Sequence, residues 1–459
     1  MLQKGIATLS YLVLLAMFVR PAISQNGEVY SLDKCIELAL KNNSALKTAS
    51  YEVNRSGANV KGSYANILPT IGSSFNSSRT FRGERVDTRD IQVEDPATGQ
   101  ISIVRRDITQ PTQQFNFYQM QVSYNQRLFD FGRSWNLIKQ AKSSFDASSQ
   151  NLASARQNVF SNVKLRYFDL LKAMKLEQEF QLAVERSKEQ LRRTQSMYEI
   201  GSVAQIDVFR QEVTLGSDEV NLINQSNALE IAKANLNIVM GRDPETHLTI
   251  ADKEVNMSPP GFSLDEALNI ARENSPELRR FEFDMKSADY GRKAAKGRYW
   301  PSFGLGITYT KNNQVFDRVY GDFDQNFQVS VGAQIDFNIF NGLSDAAEVS
   351  RQTANYSIAK ENWVNTRRQK ELEVKQAYLN VKAFSEIAQI NERNVRSAEE
   401  DFRLAQERYR VGAGTSLEVT DAQVNLTRAR VQLVAAQYDA MIARAQLEAA
   451  MGTSDRQPE

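Results

Sequence analysis

Phe327-Gln328-Val329-Ser330-Val331-Gly332-Ala333-Gln334-Ile335-Asp336-Phe337-Asn338-Ile339 alternates apolar and polar side chains over thirteen residues. A period of two sends successive side chains to opposite faces, so this run reads as a strand with one apolar face. Three further runs share the pattern. Phe303, Leu305, Ile307 and Tyr309 alternate with Gly304, Gly306, Thr308 and Thr310; Tyr118, Met120, Val122, Tyr124 and Leu128 alternate with Gln119, Gln121, Ser123, Asn125 and Arg127; residues 71–80 form the weakest of the four. A half-buried sheet in a soluble domain needs an apolar layer over that face, and the rest of the chain offers only long helices with seams of their own. A transmembrane barrel needs strands of about 9–11 residues, apolar to lipid and polar to the lumen. Four strands are too few to close a barrel, since about eight is the smallest that encloses packed side chains. Closure must come from association, with two, three or four copies giving about 8, 12 or 16 strands.

The strands belong to a duplication. Ser31-Leu32-Asp33-Lys34-Cys35-Ile36-Glu37-Leu38-Ala39 recurs as Ser263-Leu264-Asp265-Glu266-Ala267-Leu268-Asn269-Ile270-Ala271, an offset of 232 that holds as far as Leu68-Pro69 against Trp300-Pro301. From Phe129 against Phe340 onward the offset is 211, through Tyr198-x-x-Gly201 against Tyr409-x-x-Gly412, Asp207 against Glu418, and Met240-Gly241 against Met451-Gly452. The first copy therefore carries 21 extra residues between Pro69 and Phe129, in the charged stretch 82–111, which reads as a surface loop. The organisation is residues 1–24, a signal peptide; 25–241, the first repeat; 242–261, a Pro- and Gly-bearing connector; 262–452, the second repeat; and 453–459, a C-terminal tail.

Each repeat opens with a short helix (32–41 and 264–273), continues as a second helix that stops at Pro69 or Pro301, and turns to strands. After the strands, residues 135–198 contain neither Gly nor Pro, enough for a helix of roughly 96 Å. Ile138, Phe145, Leu152 and Val159 recur every seven residues within it. In the last helix Val419, Ala422, Leu426, Ala429, Leu433, Ala436, Ala440, Ala443, Leu447 and Ala450 keep the 3-4 spacing of a coiled-coil seam. Leu417, Val424, Val431, Tyr438 and Ala445 make a second stripe, so this helix has neighbours on two sides, as a stave in a cylinder would.

Composition excludes whole classes of chemistry. With one His and one Cys in 459 residues, zinc, haem, iron–sulfur and disulfide sites have almost no ligands. No cofactor, metal site or nucleophile–base pair is expected, and the chain reads as no enzyme. Cys35 has Ala267 as its repeat mate and reads as a small buried thiol, and His247 stands alone in the connector. Lys plus Arg (56) balances Asp plus Glu (55), which removes the electrostatic case for nucleic acid. Lys4, the apolar run 6–19 and Ala22-Ile23-Ser24 compose the signal peptide, with a run too short for a membrane helix. The mature chain is expected beyond the inner membrane.

The opening Ser-Leu-Asp helices, the prolines before the strands, the exits Leu128-Phe129-Asp130-Phe131-Gly132 and Ile339-Phe340-Asn341-Gly342, and the turns Tyr198-Glu199-Ile200-Gly201 and Tyr409-Arg410-Val411-Gly412 together resemble the TolC family of outer-membrane efflux proteins. The resemblance spans residues 30–453, across both copies. It implies an α+β membrane protein: a homotrimer whose twelve strands form one barrel in outer-membrane lipid, continued by an α-helical barrel in the periplasm. It also implies partners, an inner-membrane transporter and a periplasmic adaptor that docks on the helix tips at Ile200-Gly201-Ser202 and Val411-Gly412-Ala413. Glu418 and Asp421, three apart on one helix face, fall on the family's acidic constriction rings. A solvated acidic face near a helix N-terminus is the other reading of that pair. Tyr409 and Asp207 match the family's closing latch, but Gly414 stands where an arginine is expected, which leaves either a weaker latch or Arg210 in its place. The function implied is a passive exit duct of an efflux or type I secretion system. A periplasmic coiled-coil adaptor or structural protein without a pore is the competing reading; it explains the seams but not the strands.

Overall fold

The structure is a computed structural model and describes residues 29–252, 261–321 and 324–455. The expected signal peptide lies outside these residues, as do 253–260 of the connector and 456–459 of the tail. The first repeat runs β1 (Val29–Tyr30), α1 (Leu32–Asn42), α2 (Ser44–Ser63), β2 (Thr70–Arg82), β3 (Arg85–Glu94), β4 (Ile101–Gln110), β5 (Gln113–Phe129), α3 (Arg133–Glu199) and α4 (Gln205–Val239). After β6 (Thr249–Ile250), the second runs α5 (Leu264–Asn274), α6 (Pro276–Lys296), β7 (Ser302–Asn313), α7 (Asp317–Tyr320), β8 (Phe327–Asp336), α8 (Ser344–Arg410) and α9 (Ser416–Ala450). Two compact units form, and each draws on both repeats: one holds Tyr51–Gln150 and Glu277–Thr366, the other the remaining segments.

The unit of 51–150 and 277–366 carries one antiparallel sheet of order β2-β5-β7-β8. Ile71, Phe75, Met120, Val122, Tyr124, Ile307, Tyr309, Val329 and Val331 share one face by register, and Ser74, Gln121, Ser123, Thr308 and Ser330 the other. β8 ends at Asp336, three residues before its apolar alternation does. The stretch 82–111 is not the loop expected of it. β3 and β4 pair from Arg85↔Gln110 to Glu94↔Ile101, in the register set by Arg82↔Gln113, so the first hairpin simply continues outward past a break at Gly83 and Pro111. Ile91, Val93, Val104 and Ile108 share one face by register, but the charges interspersed among them masked the period-two pattern. The second strand pair is joined by the short helix α7 rather than by loop alone.

The other unit is helical, and its packing repeats as its sequence does. Ser31 caps α1 by accepting from the Lys34 amide, and Ser263 with Glu266 completes a reciprocal capping box on α5. Around α1 the core holds Cys35, Val163, Leu170, Leu236 and Met240; around α5 it holds the repeat mates Ala267, Val374, Val381, Leu447 and Met451. Tyr167 donates to the Ala251 carbonyl at 2.5 Å and its mate Tyr378 to the Phe262 carbonyl at 3.2 Å. The connector is more than a linker, because β6 pairs in parallel with β1 and ties it to the start of the first repeat. Nine of the ten seam residues of α9 are buried, Leu433 being half-buried. Its second stripe is split: Tyr438 and Ala445 are buried, whereas Leu417 and Val424 face solvent.

Candidate functional site: a membrane-type sheet and two helical tips

Two aromatic clusters mark the ends of the sheet. At one, Phe131 stacks on Trp300 with ring centroids 5.1 Å apart and meets Phe129 at 4.9 Å, with Phe303 beyond it. At the other, Phe316 and Tyr320 of the β7–β8 connection fold over Phe75 and Tyr118, with centroids 5.3–5.9 Å apart. Lys311, on the apolar face beneath them, is buried, and its ammonium donates to the Gly321 carbonyl, which satisfies one of its N–H groups. From Phe303 to Lys311 the strand climbs about 27 Å at 3.4 Å per residue, close to the height of the apolar band of a barrel wall. Both edges of the sheet are open: among the described residues β2 pairs only with β5, and β8 only with β7.

The two tips lie in the helical unit. At the first, Gly201 takes φ +77°, and the Ser202 amide reaches back to the Met197 carbonyl at 2.8 Å. At the second, Gly412 takes φ +76°, and the Ala413 amide bonds the Arg408 carbonyl at 2.8 Å. These are left-handed helix stops that only glycine adopts without strain. A Cβ at either glycine would meet nothing within 4 Å, so conformation and not space requires them. Ile200 and Val411 stand beside them, 80% and 67% exposed.

Residues from both helical hairpins converge behind the tips. The side-chain amide of Gln211 on α4 donates to Thr420 at 2.7 Å and Ser416 at 3.3 Å on α9. The Tyr409 hydroxyl is buried beside Thr194 and Ser416; burial first, and the Asp207 carboxylate second, push its pKa up. Asp207 also pairs with Arg210, one turn along its own helix, at 3.7 Å. Tyr409, Asp207 and Arg210 are thus brought together. Glu418 has a partner that the sequence reading missed: Arg408 reaches it at 3.6 Å and donates to the Ala413 carbonyl at 3.1 Å. Gly414 makes room for that pair, since a Cβ there would lie 3.1 Å from both the Arg408 Cβ and the Glu418 Oε2. Asp421, a turn further on, is exposed and has no ion pair with any described residue. The signal for Arg408 was its place beside Tyr409; for Gln211 the sequence offered none, because its partners are over 200 residues away.

The chain thus carries a sheet with one lipid-type face and aromatic ends, and two helical hairpins with glycine tips. Solved structures share the fold: a membrane protein from Pseudomonas aeruginosa aligns with TM-score 0.79 at 16% identity, covering 92% of this chain and 90% of that one. The outer membrane protein VceC from Vibrio cholerae aligns with TM-score 0.76 at 16% identity, covering 92% and 96%. Among curated proteins, the outer membrane efflux protein BepC of Brucella suis is 24% identical over 396 residues, 84% of this chain and 82% of its own. The chain matches the outer membrane efflux protein family over residues 35–242 and 267–453 and belongs to it; its place is the outer membrane.

Proposed function

We propose that three copies of this chain close a twelve-stranded barrel in the outer membrane and form a passive conduit, continued through the periplasm by the long helices. The observation that carries this is the four-stranded sheet, apolar on one face, membrane-high and open at both edges. Open edges invite strand pairing, and a neighbouring copy satisfies both. The helices support the same association: Ile206, Phe209, Val213, Val220, Ile223, Ile231 and Ile238 line α4 at near-heptad spacing, and each is more than half exposed in the single chain. Leu417 and Val424 of α9 add to that unpartnered surface.

The conduit makes and breaks no bond. An inner-membrane transporter supplies the energy, and a periplasmic adaptor takes hold of Ile200-Gly201-Ser202 and Val411-Gly412-Ala413, whose exposed apolar residues leave a surface for it. Asp207, Arg210 and Tyr409 hold the tip closed; Glu418 and Asp421 set charge at the narrow end. Because Arg408 neutralises Glu418 in part, Asp421 is the stronger source of cation preference. The test is cross-linking of outer-membrane fractions followed by planar-bilayer recording of the purified protein. A cross-linked trimer with cation-preferring conductance is expected, with the preference reduced more by Asp421→Ala than by Glu418→Ala. A monomer without conductance refutes the conduit.

A further inference from the structure

The polar face of the sheet holds three glycines that the backbone does not require. Gly306 lies opposite Gly332, Gly304 is two residues away, and none of them has a positive φ. A Cβ would meet nothing within 4 Å at Gly332, and only ordinary contacts at 3.5 Å and 3.6 Å at Gly306 and Gly304. What glycine supplies here is room. The room is a trough of about 660 Å³, walled by Asn125, Thr308, Ser330 and Gln334. Arg127 and Asp336 border both this trough and a second cavity of about 390 Å³, onto which Arg133 and Arg298 also open.

The charges in the second cavity are unequally engaged. Asp130 accepts from the Ser134 amide at 2.9 Å and from its hydroxyl, Asp345 from the Asn341 amide at 2.6 Å, and Asp336 from the Gln334 amide at 2.7 Å. The guanidinium contacts are long by comparison, 3.5 Å from Arg298 to Asp345 and 3.9 Å from Arg127 to Asp130. The half-buried Arg133 guanidinium has no hydrogen bond or ion pair with any described residue. Burial and the neighbouring charges of Arg298 and Arg127 lower its pKa, against the pull of Asp130 and Asp345. Three guanidinium forks with open donors are suited to an oxyanion, whose oxygens accept paired N–H groups.

We propose that the arginine cavity and the glycine trough form an anion-binding station on the lumen wall, taking the phosphate or carboxylate end of an elongated solute. This rests on the conduit reading for its location and names a substrate class for it. The trough is in the size range of small-molecule sites, about 300–1,000 Å³.

The probe is inorganic tripolyphosphate, titrated calorimetrically into the purified full chain in detergent and then applied during bilayer recording. Wild type is expected to bind it and to show reduced current. Arg133→Gln and the more exposed Arg127→Gln each weaken both effects by roughly tenfold, the loss of one charge-assisted contact. Arg133→Lys retains part of the affinity, and Arg396→Gln, an exposed arginine in the other unit paired only with Glu392, retains all of it. No heat of binding in wild type, or an affinity unchanged in both glutamine variants, overturns the station. Conductance without tripolyphosphate binding overturns the station and leaves the conduit; binding without conductance overturns the conduit, and with it the lumenal station, and leaves an oxyanion cavity alone.

Discussion

Gly452→Ala is predicted to destabilise the helical unit strongly although it adds a single methyl group. Gly452 takes φ +73°, where an L side chain costs about 1–2 kcal/mol. A Cβ there would also lie 2.9 Å from the Asn274 carbonyl oxygen, 3.0 Å from its carbon and 3.3 Å from the Ser275 Cα. These are backbone atoms at the end of α5 and cannot rotate aside, so the overpacking adds about 1–3 kcal/mol. Together the two effects predict a loss of about 2–5 kcal/mol. The repeat mate Gly241 predicts a similar loss, with φ +72° and contacts of 2.9–3.0 Å to Asn42 at the end of α1. Large proteins commonly unfold irreversibly, so the assay is the apparent Tm by circular dichroism in detergent at one scan rate. Gly62→Ala is the control. It lies exposed within α2 with nothing within 4 Å of the added methyl, and gains about 0.5–1 kcal/mol. An apparent Tm for Gly452→Ala at or above that of wild type, with the control behaving as stated, would refute the reasoning.

Alkali should weaken the helical unit in a defined window. Burial, chiefly, pushes the phenols of Tyr167 and Tyr438 up to about 12, whereas those of the unfolded chain ionise near 10. The unfolded chain therefore binds fewer protons between those values. Stability is intact below about pH 10 and falls toward about pH 12, and Tyr438→Phe should flatten part of that slope in apparent Tm. Cys35 is fully buried with its thiol pushed up to about 11 by burial, so a maleimide should label it at neutral pH only when the protein unfolds; rapid labelling of the native protein would contradict its placement. Asp207→Ala removes both the partner of Arg210 and the charge facing Tyr409, and is expected to raise single-channel conductance of the isolated protein; an unaltered value would show that the latch lies elsewhere.

Much of this fold was legible because its signals are local. Alternation at 327–339 and 303–310, the serines before the short helices, and glycines in the helical turns depend on neighbours a few residues away, and the duplication let each signal be checked twice. The hairpin of β3 and β4 was missed for a local reason as well. Charges on its strands serve an exposed ribbon, where they discourage edge-to-edge association, but they mimic the composition of a loop.

The sequence by itself determined the periods, the repeat and the scarcity of His and Cys, since backbone geometry and ligand inventory are properties of short segments and of composition. Tertiary structure alone decided what depends on distant partners. It set Arg408 against Glu418 over Gly414, wedged Gly452 onto the end of α5, and gathered Arg127, Arg133 and Arg298 around one cavity. Each of those contacts follows from which helices and strands pack side by side, and spacing along the chain does not encode that choice.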